Sequence, residues 1–234
     1  TRNIWSFTVT AEDGVTTAVY TVTVNTAALP EPITPGVDNK KPASKPEVKL
    51  PFTDVSTSDW FYDDVAFVYK NGLFSGTDSR SFSPNASMTR AMLVTVLWRL
   101  DGSRAPAGRN TFTDVPGGQW YTDAVTWAAE NGVVNGVGSG KFEPDGRVTR
   151  EQIATILFRY AAKRYDTSAR ADLSVFPDAG RVSAYAREAL AWANAAGLVN
   201  GTDNGHGLIL DPQGDATRAQ VAAILMRYVK NIVR

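Results

Sequence analysis

The chain has 234 residues, of which 43% are hydrophobic, so it is long and apolar enough to form a packed core. Its 24 Lys and Arg residues balance its 24 Asp and Glu residues, and this zero net charge argues against a nucleic-acid binder or a basic membrane-surface protein. The absence of cysteine excludes disulfides, thiolate metal sites and cysteine nucleophiles. No apolar run approaches the roughly 18 residues of a membrane-spanning helix, so we predict no membrane insertion.

Residues 1–28 have the pattern of a β-hairpin. Apolar and polar residues alternate from Ile4 to Thr10 and from Ala18 to Val24, and the segment from Ala11 to Gly14 has turn chemistry. A lone hairpin is marginally stable in water, so we interpret it as the C-terminal strands of a truncated β-sandwich module. The segment resembles the closing strands of cadherin-like or immunoglobulin-like modules of bacterial surface proteins. Because the first residue is Thr1 and no leader follows, we expect the sequence to be a piece of a longer precursor.

Residues 29–50 change in composition. Five prolines stand among lysine, glutamate and asparagine, with few apolar residues: Pro30, Pro32, Pro35, Pro42 and Pro46. Such a composition favours an extended, semi-rigid spacer. We therefore predict a linker here and a second domain over residues 51–234.

The second domain is built from three sequence repeats, at about residues 52–104, 112–165 and 176–234. The motif Phe52–Val55 returns as Phe112–Val115 and, altered, as Phe176–Ala179. The other landmarks recur in the same order: Trp60, Trp120 and Tyr185; Gly72, Gly132 and Gly197; Gly76, Gly136 and Gly201; Pro84, Pro144 and Pro212; Arg90, Arg150 and Arg218.

Each repeat is predicted to be a helix–loop–helix unit. The first helix ends at Gly72, Gly132 or Gly197, because glycine suits the left-handed position after a helix. The second helix starts at Thr89, Thr149 or Thr217 and has an apolar face with helical spacing. One such unit is too small to bury its own apolar face, so we predict an all-α domain in which three units fold together.

These motifs resemble S-layer homology repeats over about residues 52–234. The shared features are Phe-x-Asp-Val, a tryptophan near the first helix, Asn-Gly-Leu/Val, Phe-x-Pro and a helix that begins with Thr-Arg-(Ala/Glu). The resemblance implies a pseudo-threefold helical spindle whose inter-repeat grooves bind a secondary cell-wall polysaccharide that carries a pyruvylated amino sugar. It also implies a secreted protein held non-covalently in the wall or S-layer of a Gram-positive-type bacterium, with lateral contacts to other surface-layer proteins.

Three arginines are the leading binding candidates: Arg90, Arg150 and Arg218. Each occupies the first position of a helix, where the positive end of the helix dipole disfavours a cation. Three such residues in register therefore indicate a function. An arginine beside free helix N-terminal amides would form a carboxylate receptor. The alternative is an internal ion pair with the aspartate of the repeat motif.

Three further sets recur as candidates: the aromatic residues Trp60, Trp120 and Tyr185, the aspartates Asp54, Asp114 and Asp178, and the glycines Gly76, Gly136 and Gly201. The aromatic residues would stack on a sugar ring or belong to the core. The aspartates would cap a helix or turn, contact a hydroxyl group, or orient the arginines. The glycines would allow a ligand close to the backbone or form turns with positive φ.

Repeat two keeps every landmark, including the Thr149–Gln152 capping box. Repeat one has Met92 in place of the capping glutamine, and repeat three has Tyr185 in place of the tryptophan. We therefore expect the groove that uses Arg150 to dominate binding.

We predict a non-enzymatic anchoring module that needs no metal and no cofactor. His206 is the only histidine, and the segment from Asp203 to Asp211 lacks the spacing of an EF-hand. Two alternatives remain open: a protein–protein or self-assembly module, and a cell-wall hydrolase whose catalytic domain lies before Thr1.

Overall fold

A computed structural model describes residues 2–10, 17–25 and 49–233. The chain divides into two compact units, Thr1–Glu47 and Val48–Arg234. Most of the predicted linker, and the predicted turn at residues 11–14, lie outside the described residues.

The first unit contains a two-stranded antiparallel sheet, formed by β1 (Arg2–Thr10) and β2 (Thr17–Asn25). Its register pairs Arg2 with Asn25 and Thr10 with Thr17. Both predicted strands are therefore present, and each extends one or two residues beyond the alternating pattern. Membership of a larger β-sandwich remains a prediction.

Within residues 49–233 the second unit is mostly helical, which confirms the predicted fold class. Its six α-helices are α1 (Tyr62–Lys70), α2 (Arg90–Leu100), α3 (Thr122–Glu130), α4 (Arg150–Ala161), α5 (Arg187–Ala195) and α6 (Arg218–Tyr228). Each repeat contributes two of them. Along this part of the chain, no helix is long and apolar enough to cross a membrane.

The ends of the helices follow from local chemistry. After α1, the N–H of Gly72 donates to the carbonyl of Tyr69, and the N–H of Leu73 donates to that of Val68. These are the two hydrogen bonds of a Schellman motif, and Gly72 has the positive φ of 67° that the motif requires. At the starts of α4 and α6, the predicted capping boxes of Thr149 and Thr217 are both present.

The most extensive helix contacts join different repeats. Helix α2 packs against α3, α4 packs against α5, and α1 packs against α6. The last pair joins the first helix of repeat one to the last helix of repeat three. The three repeats therefore surround one contiguous apolar core, arranged about a pseudo-threefold axis.

A ring of backbone hydrogen bonds lies on this axis. The N–H of Met88 donates to the carbonyl of Ala216, the N–H of Ala216 donates to that of Val148, and the N–H of Val148 donates to that of Met88, at 2.8, 3.1 and 2.9 Å. All three residues are fully buried. Each lies immediately before the threonine that caps the second helix of its repeat. The ring thus fixes the starts of α2, α4 and α6 relative to one another.

Repeat three differs from the other two in its loops. Three short 3₁₀ turns precede α5, and a two-residue hairpin, β3 (Thr202–Asp203) and β4 (Leu208–Ile209), precedes α6. The hairpin is the insertion expected from the longer spacing between Gly201 and Pro212. His206 is exposed in its turn.

We predict that deletion of residues 176–234 abolishes cooperative folding, because it removes the packing partners of α1 and α4 and one side of the backbone ring. Thermal unfolding of residues 48–165, monitored by circular dichroism, would be compared with that of residues 48–234. A cooperative transition of the fragment at the melting temperature of the whole domain would contradict this prediction.

Candidate functional site

The amides at the starts of the second helices are already occupied. The N–H of Arg90 donates to the carbonyl of Gly146, and the next N–H, of Ala91, donates to that of Pro144. The equivalent amides of α4 bind Gly214 and Pro212, and those of α6 bind Ala86 and Pro84. The prediction of an anion receptor built from free helix amides is therefore wrong, because these amides join neighbouring repeats instead.

The three arginines of the repeat motif lie at the domain interior. Arg90, Arg150 and Arg218 are only 5–6% exposed. Each donates from Nε, at 2.8 Å, to a backbone carbonyl of another repeat: Phe142, Leu210 and Phe82, respectively. The guanidinium groups of Arg90 and Arg218 also lie over the rings of Phe142 and Phe82, at 4.8 and 4.7 Å from the ring centroids. Removing one of these side chains would therefore also weaken the fold.

The aspartates of the repeat motif bind the same loops from the other side. Asp54 accepts hydrogen bonds from the N–H groups of Phe82 and Ser83, at 2.8 and 2.7 Å. The Ser83 N–H and the Phe82 carbonyl belong to one peptide group, so Asp54 and Arg218 hold its two ends. We call this arrangement the peptide clamp. Equivalent clamps join Asp114 and Arg90 at the Phe142–Glu143 peptide, and Asp178 and Arg150 at the Leu210–Asp211 peptide.

The clamp combines two of the predicted roles of the aspartates. They cap a turn, and they orient the arginine through the bound peptide. Among the ion pairs of residues 49–233, none joins an aspartate of the motif directly to an arginine of the motif. The predicted alternative of an internal Arg–Asp ion pair is thus replaced by an indirect pairing.

The second residue of each clamped peptide has a strained backbone conformation. Ser83, Glu143 and Asp211 have positive φ values of 57°, 58° and 46°. The left-handed conformation costs a non-glycine residue about 1–2 kcal/mol. Hydrogen bonds to a charged acceptor and a charged donor offset this cost, because each is stronger than a neutral hydrogen bond.

Three grooves lie between the repeats, with volumes of about 360, 340 and 140 Å³. Each combines a glycine loop and second helix from one repeat, the aromatic residue of the next repeat and the buried arginine of the third. Groove 1 contains Gly76, Thr95, Arg99, Trp120 and Arg218; groove 2 contains Gly136, Thr155, Arg159, Tyr185 and Arg90; groove 3 contains Gly201, Ala223, Arg227, Trp60 and Arg150. Each groove is thus assembled from all three repeats.

This assembly corrects the expectation based on the completeness of repeat two. Its landmarks are distributed, because Trp120 lines groove 1, Gly136 lines groove 2 and Arg150 lines groove 3. Groove 3 is also the smallest of the three. The intact motif of repeat two therefore does not single out the groove of Arg150.

The aromatic residues of the grooves are exposed. Trp60, Trp120 and Tyr185 have 65%, 58% and 56% of their surface accessible, so they do not belong to the core. Each tryptophan ring packs edge to face against the ring of the next residue. The ring centroids of Trp60 and Phe61 are 5.3 Å apart, and those of Trp120 and Tyr121 are 5.1 Å apart. These contacts hold large apolar surfaces at the groove walls, where they can stack on a flat or ring-shaped ligand.

The glycines of the groove loops are required by close packing. A Cβ atom on Gly136 would lie 2.7 Å from the ring of Phe112 and 2.5 Å from the carbonyl oxygen of Lys141. A Cβ atom on Gly76 would lie 2.6 Å from the ring of Phe52, whereas one on Gly201 would make a tight contact of 3.0 Å with the ring of Phe176. Gly136 and Gly201 also have positive φ values, of 75° and 90°. The predicted turn with positive φ is therefore present at Gly136 and Gly201, whereas Gly76 is explained by close packing alone, and all three glycines also line grooves.

Each groove contains a second arginine that was not predicted from the sequence. Arg99, Arg159 and Arg227 stand near the ends of α2, α4 and α6. These three arginines occupy equivalent positions in the three repeats, and this recurrence could have identified them from the sequence. Glu151 was also not predicted; it is a buried carboxylate that accepts hydrogen bonds from the backbone and side chain of Ser183 and from the hydroxyl group of Tyr185.

The electrostatics of the buried arginines suit an anionic ligand. Burial lowers the pKa of Arg90, Arg150 and Arg218 from its ordinary value, and nearby carboxylates partly oppose this effect. Arginine nevertheless stays charged in proteins. A buried positive charge without a direct carboxylate partner is costly, and an acidic ligand would reduce that cost.

The described residues contain no cluster of three or more His, Asp or Glu side chains that could hold a metal ion. The three grooves have aromatic walls and positively charged hydrogen-bond donors. The fold and these grooves define a three-repeat helical binding module.

The sequence profile of the S-layer homology domain matches residues 51–91, 111–154 and 175–222, which together make up more than half of the chain. The chain therefore belongs to the S-layer homology family, as its repeat motifs predict.

Related proteins match this chain over one part of their length. An endoglucanase of Bacillus sp. (strain KSM-635) is 29% identical over 75% of this chain and 18% of its own length. The surface-layer 125 kDa protein of Lysinibacillus sphaericus is 30% identical over 69% of this chain and 13% of its own length. Among solved structures, an undecaheme cytochrome from the S-layer of Carboxydothermus ferrireducens aligns with 70% of this chain and 20% of its own chain. The TM-score is 0.37 and the sequence identity is 19%.

The family and the surface-layer relatives indicate a bacterial cell-surface location and a non-catalytic module that anchors at the cell wall. The name endoglucanase belongs to a protein of which this chain matches less than one fifth.

We predict that Asp114→Asn lowers the stability of the domain, because it places an amide where two backbone N–H groups need acceptors. Loss of hydrogen bonds to a charged group costs about 1.5–3 kcal/mol. Chemical denaturation would measure the change in the free energy of unfolding. Asp145→Asn is the matched control at an exposed side chain, and equal effects of the two substitutions would contradict a structural role of the clamp.

Proposed function

We propose that residues 51–234 anchor a secreted protein non-covalently to the wall of a Gram-positive-type bacterium by binding an acidic secondary cell-wall polysaccharide in the inter-repeat grooves. The ligand is a pyruvylated amino sugar, which offers a carboxylate and a sugar ring. The observation that carries the proposal is the buried guanidinium group in each groove, beside an exposed aromatic residue.

The two groups recognise different parts of such a sugar. A guanidinium group binds a carboxylate through paired N–H donors, and burial strengthens this interaction because water does not compete. The exposed faces of Trp60, Trp120 and Tyr185 provide apolar surface for the pyranose ring. A neutral sugar would satisfy only the second requirement.

A polysaccharide also suits the number of grooves. A polymer repeats the same sugar along its length, and three grooves on one domain can engage several of these units. Linked binding events raise the overall affinity far above that of one groove. A module that must hold its protein in the wall without a covalent bond gains from this effect.

The second candidate is a protein–protein or self-assembly module, with lateral contacts between surface-layer proteins. The observation that favours it is apolar surface outside the grooves. Val175 is 71% exposed and Leu208 is 56% exposed. Several relatives are surface-layer proteins.

We predict that the chain sediments with purified wall sacculi and that mild acid hydrolysis of the pyruvate ketal reduces this binding at least tenfold, because the guanidinium groups lose their carboxylate partner. The bound fraction would be measured by co-sedimentation against protein concentration. Sacculi that keep the polymer but lack the ketal are the control for the sugar backbone. Equal binding to both preparations would overturn the proposal and favour the self-assembly alternative.

A further inference from the structure

The three grooves differ in how far their arginines are already bound to protein. In groove 1, Arg218 donates from Nη2 to the carbonyl of Ser75 at 2.8 Å, and Arg99 donates from Nη1 to the carbonyl of Leu73 at 3.0 Å. Both guanidinium groups therefore have a protein acceptor for at least one terminal nitrogen. An acidic ligand in groove 1 would have to share or replace these hydrogen bonds.

In groove 3, one of the two arginines has a terminal nitrogen bound to a protein acceptor, and the groove is small. Arg227 donates from Nη1 to the carbonyl of Leu198 at 3.3 Å, whereas Arg150 uses only its Nε, for the carbonyl of Leu210. The groove has a volume of about 140 Å³, against about 340 Å³ for groove 2. Ligand pockets commonly exceed about 300 Å³. Groove 3 thus has a free guanidinium end but little room.

In groove 2, both arginines keep their terminal nitrogens free of protein acceptors. Arg90 donates only from Nε, to the carbonyl of Phe142. Within residues 49–233, the guanidinium group of Arg159 makes neither a hydrogen bond nor an ion pair, although its backbone belongs to helix α4. The carboxylates of Glu143 and Asp114 act on Arg90 electrostatically without forming an ion pair with it. Two guanidinium groups with free N–H donors thus line a groove that is large enough for a small ligand.

The aromatic wall of groove 2 is also held in place. The hydroxyl group of Tyr185 donates to Glu151 at 3.1 Å, and Ser183 binds the same carboxylate at 2.7 and 3.0 Å. Repeats one and three have alanine at the position of Glu151, and repeats one and two have tryptophan at the position of Tyr185. A fixed wall costs less entropy when a ligand binds. Both Arg90 and Arg159 lie close enough to Tyr185 to oppose the rise of its pKa to about 12, which burial and Glu151 cause.

We infer that groove 2 is the high-affinity site for the acidic sugar, that Arg159 is its specificity-determining residue, and that grooves 1 and 3 bind the same ligand more weakly. This inference rests on the proposed function. A ligand carboxylate in groove 2 would accept hydrogen bonds from the terminal nitrogens of Arg90 and Arg159 without breaking any protein hydrogen bond. Neither of the other grooves combines two free guanidinium ends with sufficient volume.

The test compares Arg159→Gln with Arg99→Gln and Arg227→Gln, which change the equivalent position in grooves 1 and 3. All three arginines are partly exposed, so the folded state should persist, and thermal unfolding would verify this. Arg109→Gln, at an exposed loop residue outside the grooves, controls for the loss of one positive charge. The probe is a pyruvylated amino-sugar disaccharide, titrated calorimetrically beside its methyl ester, which lacks the carboxylate charge.

We expect Arg159→Gln to weaken binding of the acidic disaccharide about ten- to a hundredfold, the usual effect of losing a hydrogen bond to a charged group. The methyl ester should bind the wild-type chain and this variant alike. The two comparison variants should lose at least fivefold less affinity than Arg159→Gln.

Equal losses in the three groove variants, or a larger loss in Arg99→Gln or Arg227→Gln, would overturn the assignment of groove 2 while the proposed function stands. If the wild-type chain binds neither the disaccharide nor acidic wall polymer, the proposed function fails and the assignment fails with it.

Discussion

Three backbone hydrogen bonds on the pseudo-threefold axis determine the arrangement of the rest of the domain. They join Met88, Val148 and Ala216 in a closed ring, and each of these residues directly precedes a helix-capping threonine. Because the ring fixes where the second helices begin, it also fixes where the buried arginines enter the neighbouring repeats. The grooves follow from this geometry, since each one needs side chains from all three repeats, which the ring and the helix packing between repeats bring together.

The buried arginines serve the fold and the grooves with different atoms of the same side chain. The Nε of Arg90 binds a backbone carbonyl in the peptide clamp, while its terminal nitrogens remain at the groove. A lysine could not divide its donors in this way, because its ammonium group is a single point at the end of a flexible stem. The unfavourable position of an arginine at a helix start is therefore explained by the peptide clamp, which leaves the terminal nitrogens of Arg90 free at the groove.

Local features of the fold were predictable, whereas the composition of the grooves was not. Gly72 and the Thr149–Gln152 box could be read from the sequence because each acts within a few residues of its own helix end. The grooves depend on packing between repeats, which the order of motifs along one repeat does not encode. Arg150 illustrates the difference: its place at the start of a helix was predicted, but the groove that it enters is formed by residues 48 to 90 positions away, with Leu198 the nearest along the chain and Trp60 the farthest. The hydrogen bond between Glu151 and Tyr185 was missed for the same reason.

The contact between α1 and α6 has a consequence for how the chain acquires its structure. Arg218 binds carbonyls that lie 136 and 143 residues earlier, so repeat one cannot be completed until the end of repeat three is available. Contacts over such long sequence separations slow folding, because much of the chain must be ordered before they form. On the ribosome, α1 would be the first of the six helices to emerge, and its partner α6 would be the last. The helix that is synthesised last is thus needed to complete the repeat that is synthesised first, and the domain can close only when α6 is available.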